Sequence, residues 1–271
     1  MVKQLLLICT ISFFILSCNN WNESSSLLTY VGGEIVNPKG DYVYLLKDDQ
    51  LLDSVSLDTN NKFLFETKNI DAGLYTFSHV EFQVFYLNPG DSLMLRVNTF
   101  DFDESLSFTG TGSKNNNLLI ELFLLNEEEI ELMPRYYKLA PKYFEEKLDS
   151  LKNIRLKIYN EFVIKNNPTD NFKEIAEASI NYDYFSKKEI YITANERRKN
   201  SESYHAIPED FYTYRSSINF GSDKLRSYFP YYRFLFRYFD NIAMRGADQI
   251  NSYQRNSLSH NYRKIELINQ K

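Results

Sequence analysis

Cysteine is almost missing from this chain. Of 271 residues only two are cysteine, Cys9 and Cys18, and nothing beyond position 18 carries a thiol. Thiol nucleophiles, Cys-x-x-Cys redox exchange, disulfide staples and cysteine zinc sites are therefore excluded from the remaining sequence. Histidine is also sparse: His79, His205 and His260 stand far apart. His79 and Glu81, two apart, would share one face of a strand. With no further histidine nearby, the expectation is an exposed polar strand face and no metal site; His205 and His260 are read the same way. Tryptophan occurs once, at Trp21, against 21 tyrosines and 21 phenylalanines. There is no excess of positive charge: the formal net charge is −5, which argues against a nucleic-acid partner. Nor is there an apolar run of about 20 residues, the length a membrane-spanning helix needs.

The apolar run that does exist is short. Lys3 precedes a stretch from Leu5 to Leu16 that is almost entirely apolar, and Ser17-Cys18-Asn19-Asn20 follows it. A positive start, an apolar core and a small residue at the cut are the parts of a secretory signal. Ile15-Leu16-Ser17-Cys18 resembles a bacterial lipobox, which implies cleavage between Ser17 and Cys18 and lipidation of the Cys18 sulfur. On that reading residues 1–17 are signal peptide and 18–28 a polar tether containing Trp21. The chain is then expected in the cell envelope of a Gram-negative bacterium, facing the periplasm from the outer membrane, with the lipid bilayer as its first partner.

Hydrophobic content of 43% and charged content of 25% describe an ordinary globular body. From Thr29 to Phe108 short β-rich segments alternate with turn chemistry, notably Asp58-Thr-Asn-Asn-Lys62, read as a hairpin-like turn, and Asn88-Pro-Gly-Asp91. Helical spacing takes over after Gly110-Thr-Gly-Ser113. Leu118, Leu119 and Leu122 begin it, and Pro134 interrupts it. Phe144, Leu148, Leu151, Ile154, Ile158 and Phe162 form the apolar stripe of a second helix, and Asp170 is a candidate cap for a third. Pro230 opens a fourth, and Ser201 to Phe211 reads as loop. The fold class expected is α+β: an N-terminal antiparallel β-sandwich over 29–110, then an all-helical region over 111–271.

Several local features invite chemistry. Asp101, Asp103 and Glu104 are acidic neighbours, but they lack the glycine and later glutamate of an EF-hand calcium loop, so a solvated strand edge is expected. A carboxylate pair for glycoside hydrolysis needs only a separation in space, and 36 acidic residues leave no way to pick one. Gly110-Thr-Gly-Ser113 lacks the Lys-Ser/Thr ending of a P-loop and reads as an interdomain turn with Ser113 capping the helix. Lys187-Lys188 and Arg197-Arg198-Lys199 read as a solvated basic face, with anionic headgroups as the alternative. Arg233, Arg237 and Asp240 read as an ion-pair set along one helix. Tyr228 to Phe239 is too aromatic for one buried stripe: either the other helices wrap it on most sides, or it presents a patch to a missing domain, with Tyr228, Tyr231, Tyr232 and Phe236 as the candidate partner surface. No catalytic residue, metal or cofactor is expected.

Taken in order, the lipobox, Gly33-Glu-Ile-Val-Asn37, Leu57-Asp-Thr-Asn-Asn-Lys-Phe63, Tyr86-Leu-Asn-Pro-Gly-Asp-Ser-Leu93, Phe108-Thr-Gly-Thr-Gly-Ser113 and Ser227-Tyr-Phe-Pro-Tyr-Tyr-Arg-Phe-Leu235 resemble exported bacterial lipoproteins. In these a β-domain of unknown function and a helical segment precede a thioredoxin-like (TlpA/ResA-type) disulfide reductase domain. The resemblance implies an accessory or scaffold module, anchored by lipid, positioning a thioredoxin-like domain or another envelope protein. The sequence ends at Lys271 without the Cys-x-x-Cys segment, so no catalytic residue carries over. A truncated thiol-disulfide oxidoreductase and a glycan- or peptide-binding lipoprotein are the alternatives.

Overall fold

Eight strands come first, and the long helices follow. The computed structural model describes residues 27–245 and 254–271; the signal, Ser17 and Cys18 lie outside these. The strands are β1 (Leu28–Val36), β2 (Tyr42–Lys47), β3 (Gln50–Ser56), β4 (Lys62–Lys68), β5 (Gly73–His79), β6 (Glu81–Leu87), β7 (Ser92–Asn98) and, after the short helix α1 (Phe102–Ser105), β8 (Ser107–Gly110). They build two four-stranded sheets, ordered β4-β1-β7-β8 and β3-β2-β5-β6. The molecule is thus a mixed α/β protein with its strands N-terminal and its helices C-terminal.

Two sequence expectations fail in the sheets. The strands are not all antiparallel: β1 and β7 pair in parallel, Val31 opposite Leu93 and Ile35 opposite Val97. The Asp58 turn is not a hairpin, because β3 and β4 belong to different sheets. Asp58 Oδ1 accepts from the Asn60 and Lys62 amides at 2.7 and 2.8 Å, a tight Asx turn that sends the chain from one sheet to the other. Between β1 and β7 the chain visits the second sheet twice, returning beside β1 first antiparallel as β4 and then parallel as β7. Val31, Ile35, Phe65, Leu93 and Val97 of one sheet and Val43, Leu45, Phe77, Phe85 and Leu87 of the other share a single buried apolar cluster.

Helices α2 (Ser113–Ile130), α3 (Met133–Tyr136), α4 (Pro141–Asn166), α5 (Asp170–Glu196), α6 (Phe229–Met244) and α7 (Leu258–Asn269) follow, with 3-10 turns at Glu209–Ser217 and Asp223–Leu225. The first of these turns overlaps the segment read as loop. Ser113 is not a cap: Gly112 holds that place, and the Ser113 hydroxyl donates to the Gly110 carbonyl at 2.7 Å. Only glycine suits position 112, where φ is +84° and an added Cβ would lie 2.5 Å from Asp91 Oδ2. The Pro-Gly-Asp turn and the Gly-x-Gly exit are therefore packed on each other. At α5 the cap is Thr169, whose hydroxyl accepts from the Phe172 amide, and Asp170 is the first helical residue.

Two asparagines fasten α2 to the sheets. Asn116 accepts the Tyr86 N–H at 2.7 Å and donates to the Tyr86 carbonyl at 2.8 Å. Asn117 does the same for Phe108, both bonds at 2.9 Å. β6 and β8 are edge strands of different sheets, so one side-chain amide stands in for a missing strand on each. Leu118, Leu119 and Leu122 of the same helix enter the helical core together with Leu74 and Tyr86, while Ile120 enters the cluster shared by the sheets. Fifteen of the tyrosines and phenylalanines are buried in this helical core; the Phe144 and Tyr191 rings, for example, stack at 4.3 Å.

Candidate functional site

Four elements leave a gap where they meet. Val80 to Val84 at the start of β6, Leu119, Leu122, Phe123, Asn126 and Glu127 of α2, Ser179, Asp183 and Ser186 of α5, and Tyr228, Phe229, Pro230, Tyr232 and Arg233 at the start of α6 surround a cavity of about 420 Å³. That is within the range of small-ligand sites. The α2 and α5 residues recur at three- and four-residue spacing, so each helix offers one continuous face to the space. Pro230 in the first turn of α6 sets the helix start and leaves Tyr228 and Phe229 at the cavity wall. Burial pushes the Tyr228 phenol up to about 12, so it enters the site as a neutral hydroxyl.

The floor is charged. Arg155 of α4 bonds Asp183 at 2.5 Å and Glu129 at 2.7 Å, and Lys187 bonds Asp183 at 2.8 Å, Asn126 at 2.7 Å and Glu129 as well. Two cations and two carboxylates are enclosed here, with Arg155 and Lys187 each only 2% exposed. Burial drives the Asp183 carboxyl upward, but Lys187 and Arg155 more than offset it and hold it below its ordinary 3.8. Two donor atoms at this floor have no hydrogen-bond partner among the described residues: Arg155 Nε and Ser186 Oγ, both fully buried and both belonging to side chains that line the cavity. Arg233 Nε, in another lining side chain, has no partner among the described residues either. A buried donor left unmade is costly, and such groups are usually satisfied by a ligand or an ordered water.

The remaining side is acidic. Glu81, Asp103 and Glu127 line it, and among the described residues none of them forms an ion pair. Burial, with Glu104, Glu81 and Glu127 close by, raises the Asp103 carboxyl above its ordinary value. Among the described residues no group of three metal-ligating side chains exists, and no helix is long and apolar enough to cross a membrane.

The expected partner surface divides. Tyr228 and Tyr232 line the cavity. Tyr231 is buried in the helical core, its hydroxyl donating to the Asn219 carbonyl at 2.8 Å. Phe236 is 64% exposed, away from the cavity and beneath the Lys264 ammonium. Other expectations are overturned by burial. His79 is no exposed strand residue: it is 1% exposed, its Nε2 accepts the Lys39 amide at 3.2 Å, and its Nδ1 therefore donates to the Tyr42 carbonyl at 2.9 Å. His260 is likewise buried. Lys187 and Lys188 are not a solvated face; Lys188 is 3% exposed, bonds Glu145 at 2.6 Å and lies 4.2 Å from the Phe211 ring centre. Arg197 and Lys199 are exposed as expected, while Arg198 reaches back to the Tyr137 carbonyl. Asp240 pairs with Arg255 and Lys264 rather than with Arg233 or Arg237. On α4 the buried position belongs to Arg155, and Ile154 is 52% exposed.

A second buried network, around Glu189, is fully satisfied. Its carboxylate accepts from Tyr214, from Arg215 through Nε and a terminal nitrogen, and from Asn241, all between 2.6 and 2.8 Å. It braces α5 against α6 and leaves no donor open. Sequence reasoning missed Asn116, Arg155 and Ser186, and it read Asp103 as part of a solvated strand edge, whereas Asp103 and Glu104 lie in α1 and Asp103 lines the cavity. The available signal was the run Asn115-Asn116-Asn117 in a helix's opening turn, since asparagine is a poor helix former. No known protein family matches this chain, and neither does any curated protein or solved structure.

Proposed function

We propose that this chain is a ligand-binding module, and that its site is the cavity between β6, α2, α5 and α6. One observation carries the reading: a cavity of about 420 Å³ whose walls are mostly apolar also takes in the polar side chains Asn126, Ser179 and Asp183. An apolar wall with a few convergent polar atoms is the usual build of a small-ligand site. The two sheets, which share one apolar cluster, we read as the facing layers of a sandwich that supports this site. Lipid on Cys18 would hold the module at a membrane and raise its local concentration there. The accessory role beside a thioredoxin-like domain rests on the sequence resemblance alone; the cavity is what supports a binding role beside it.

The test is binding of a neutral apolar dye, N-phenyl-1-naphthylamine, to the purified chain by fluorescence. Saturable binding at one site is expected, and Ser179→Trp, which fills the cavity from α5, should abolish it without changing the circular dichroism spectrum. Absence of binding to the parent, or undiminished binding to the tryptophan variant, would refute the reading. Mass spectrometry of the amino-terminal peptide tests the anchor: a lipid-modified Cys18 as first residue is expected, and an unmodified, uncleaved terminus would exclude it.

A further inference from the structure

The cavity borders an unfinished sheet edge, which bears on what enters it; this inference rests on the binding reading above. β6 ends its sheet and pairs only with β5. Its outward backbone groups follow from Asn116, which takes both the N–H and the carbonyl of Tyr86. In an antiparallel pair the outward-facing residues alternate, so Val84 and Phe82 face outward as well. Gln83 Nε2 covers the Val84 carbonyl at 2.8 Å. The Val84 N–H and both backbone groups of Phe82 have no partner among the described residues, and both residues line the cavity. Asn116 thus closes the far part of this edge and leaves the near part open.

The side chains define what would complete it. Phe82 and Val84 lie on the face of β6 turned toward the helices, where Val84 packs on the helical core. Glu81 and Gln83 lie on the opposite face. Glu81, Asp103 and Glu127 bring three carboxylates to the cavity and no ion-paired cation with them.

We propose that the site binds an extended peptide segment by strand addition to β6 at Phe82 and Val84, with apolar side chains toward the helices and lysine or arginine side chains toward Glu81, Asp103 and Glu127. Backbone hydrogen bonds, about three of them, provide the pairing, and the alternation of the two faces provides selectivity. Beyond Val84 the Asn116 amide stops the added strand, so the recognised stretch is short.

The probe is a fluorescein-labelled Val-Lys-Val-Lys-Val amide, titrated into the purified full chain by fluorescence polarisation. Saturable one-to-one binding is expected, together with displacement of N-phenyl-1-naphthylamine. Of two peptides N-methylated at alternate amides, the one methylated at the amides facing β6 should bind at least tenfold more weakly. The Glu81→Gln/Glu127→Gln variant should bind the parent peptide several-fold more weakly, with a shallower salt dependence, and Val-Glu-Val-Glu-Val amide should not bind. Equal binding of both N-methylated peptides would overturn strand addition, and equal binding of the glutamate peptide would overturn the charge selection. If the dye binds the parent and is lost in Ser179→Trp while the lysine peptide never binds, the cavity stands and the peptide assignment falls. If the dye also fails, the binding reading itself falls.

Discussion

Replacing Arg155 by methionine is the sharpest probe of the buried charge cluster. The arginine bridges Glu129 at 2.7 Å and Asp183 at 2.5 Å in a side chain only 2% exposed. Without it two carboxylates share the single Lys187 ammonium, and one buried negative charge goes uncompensated. Breaking a buried pair in this way costs about 3–5 kcal/mol, a large share of the roughly 5–15 kcal/mol that holds a folded domain together. With a urea slope of about 2–3 kcal/mol per molar, the unfolding midpoint followed by far-UV circular dichroism should fall by about 1–2.5 M. Arg155→Met combined with Asp183→Leu removes a whole neutral pair and leaves Lys187 with Glu129. That variant should recover at least half of the loss, because apolar replacement of a complete buried pair is often near neutral. The pH dependence has a definite sign. Asp183 titrates below its ordinary 3.8 in the folded state, so its contribution is complete above that value and disappears as pH falls through the lowered pKa. Removing Arg155 takes away one of the two cations that lower it, and acid unfolding should begin at higher pH. A midpoint shift corresponding to less than about 1 kcal/mol, or a double variant whose loss equals the sum of the single losses, would refute the reasoning.

Three further outcomes are expected. Asn116→Ala leaves the buried Tyr86 N–H and carbonyl without partners and should cost about 2–4 kcal/mol in urea unfolding, whereas a loss below about 0.5 kcal/mol, typical of a surface site, would show that the β6 edge needs no cover. Gly112→Ala places a Cβ 2.5 Å from Asp91 Oδ2 at a φ of +84° and should destabilise by more than about 1 kcal/mol; Gly221→Ala, with φ +74° and nothing near its Cβ, is the control for backbone strain alone. Asp103→Asn should raise the urea midpoint at pH 7. The raised Asp103 pKa means that its unfavourable contribution is complete above the folded value and vanishes below the ordinary 3.8, so the gain should disappear on acidification; an equal effect at pH 3 and pH 7 would contradict this.

The sequence was most legible where local chemistry decides structure. Pro230 opens α6, the Asn88–Asp91 turn joins β6 to β7, and the change of period after Gly110 marks the end of β8. Sheet membership was not legible, because Asp58-Thr-Asn-Asn-Lys62 forms the same tight turn whether the next strand pairs with the last one or crosses to another sheet. The site was least legible. Lys187 and Lys188 read as solvated because lysine is seldom buried without a partner, and their partners Glu129 and Glu145 lie 58 and 43 residues away. Arg155 was passed over in favour of Ile154 for the same reason: an apolar-stripe argument has no way to see a carboxylate arriving from another helix. Aromatic density drew Tyr228, Tyr231, Tyr232 and Phe236 together without showing depth: Tyr228 and Tyr231 are buried in the helical core, whereas Tyr232 and Phe236 are exposed.

Consecutive residues on a helix project about 100° apart, so Asn116 and Asn117 can grip Tyr86 and Phe108 together at only one rotational phase of α2. Turning or sliding the helix enough to free one amide strips the other from its strand in the same movement. The pair acts like a rivet that joins an edge strand of each sheet to one helix, and neither sheet can loosen from the helical half alone. Amide protons of Tyr86 and Phe108 should accordingly exchange with solvent at one common, slow rate.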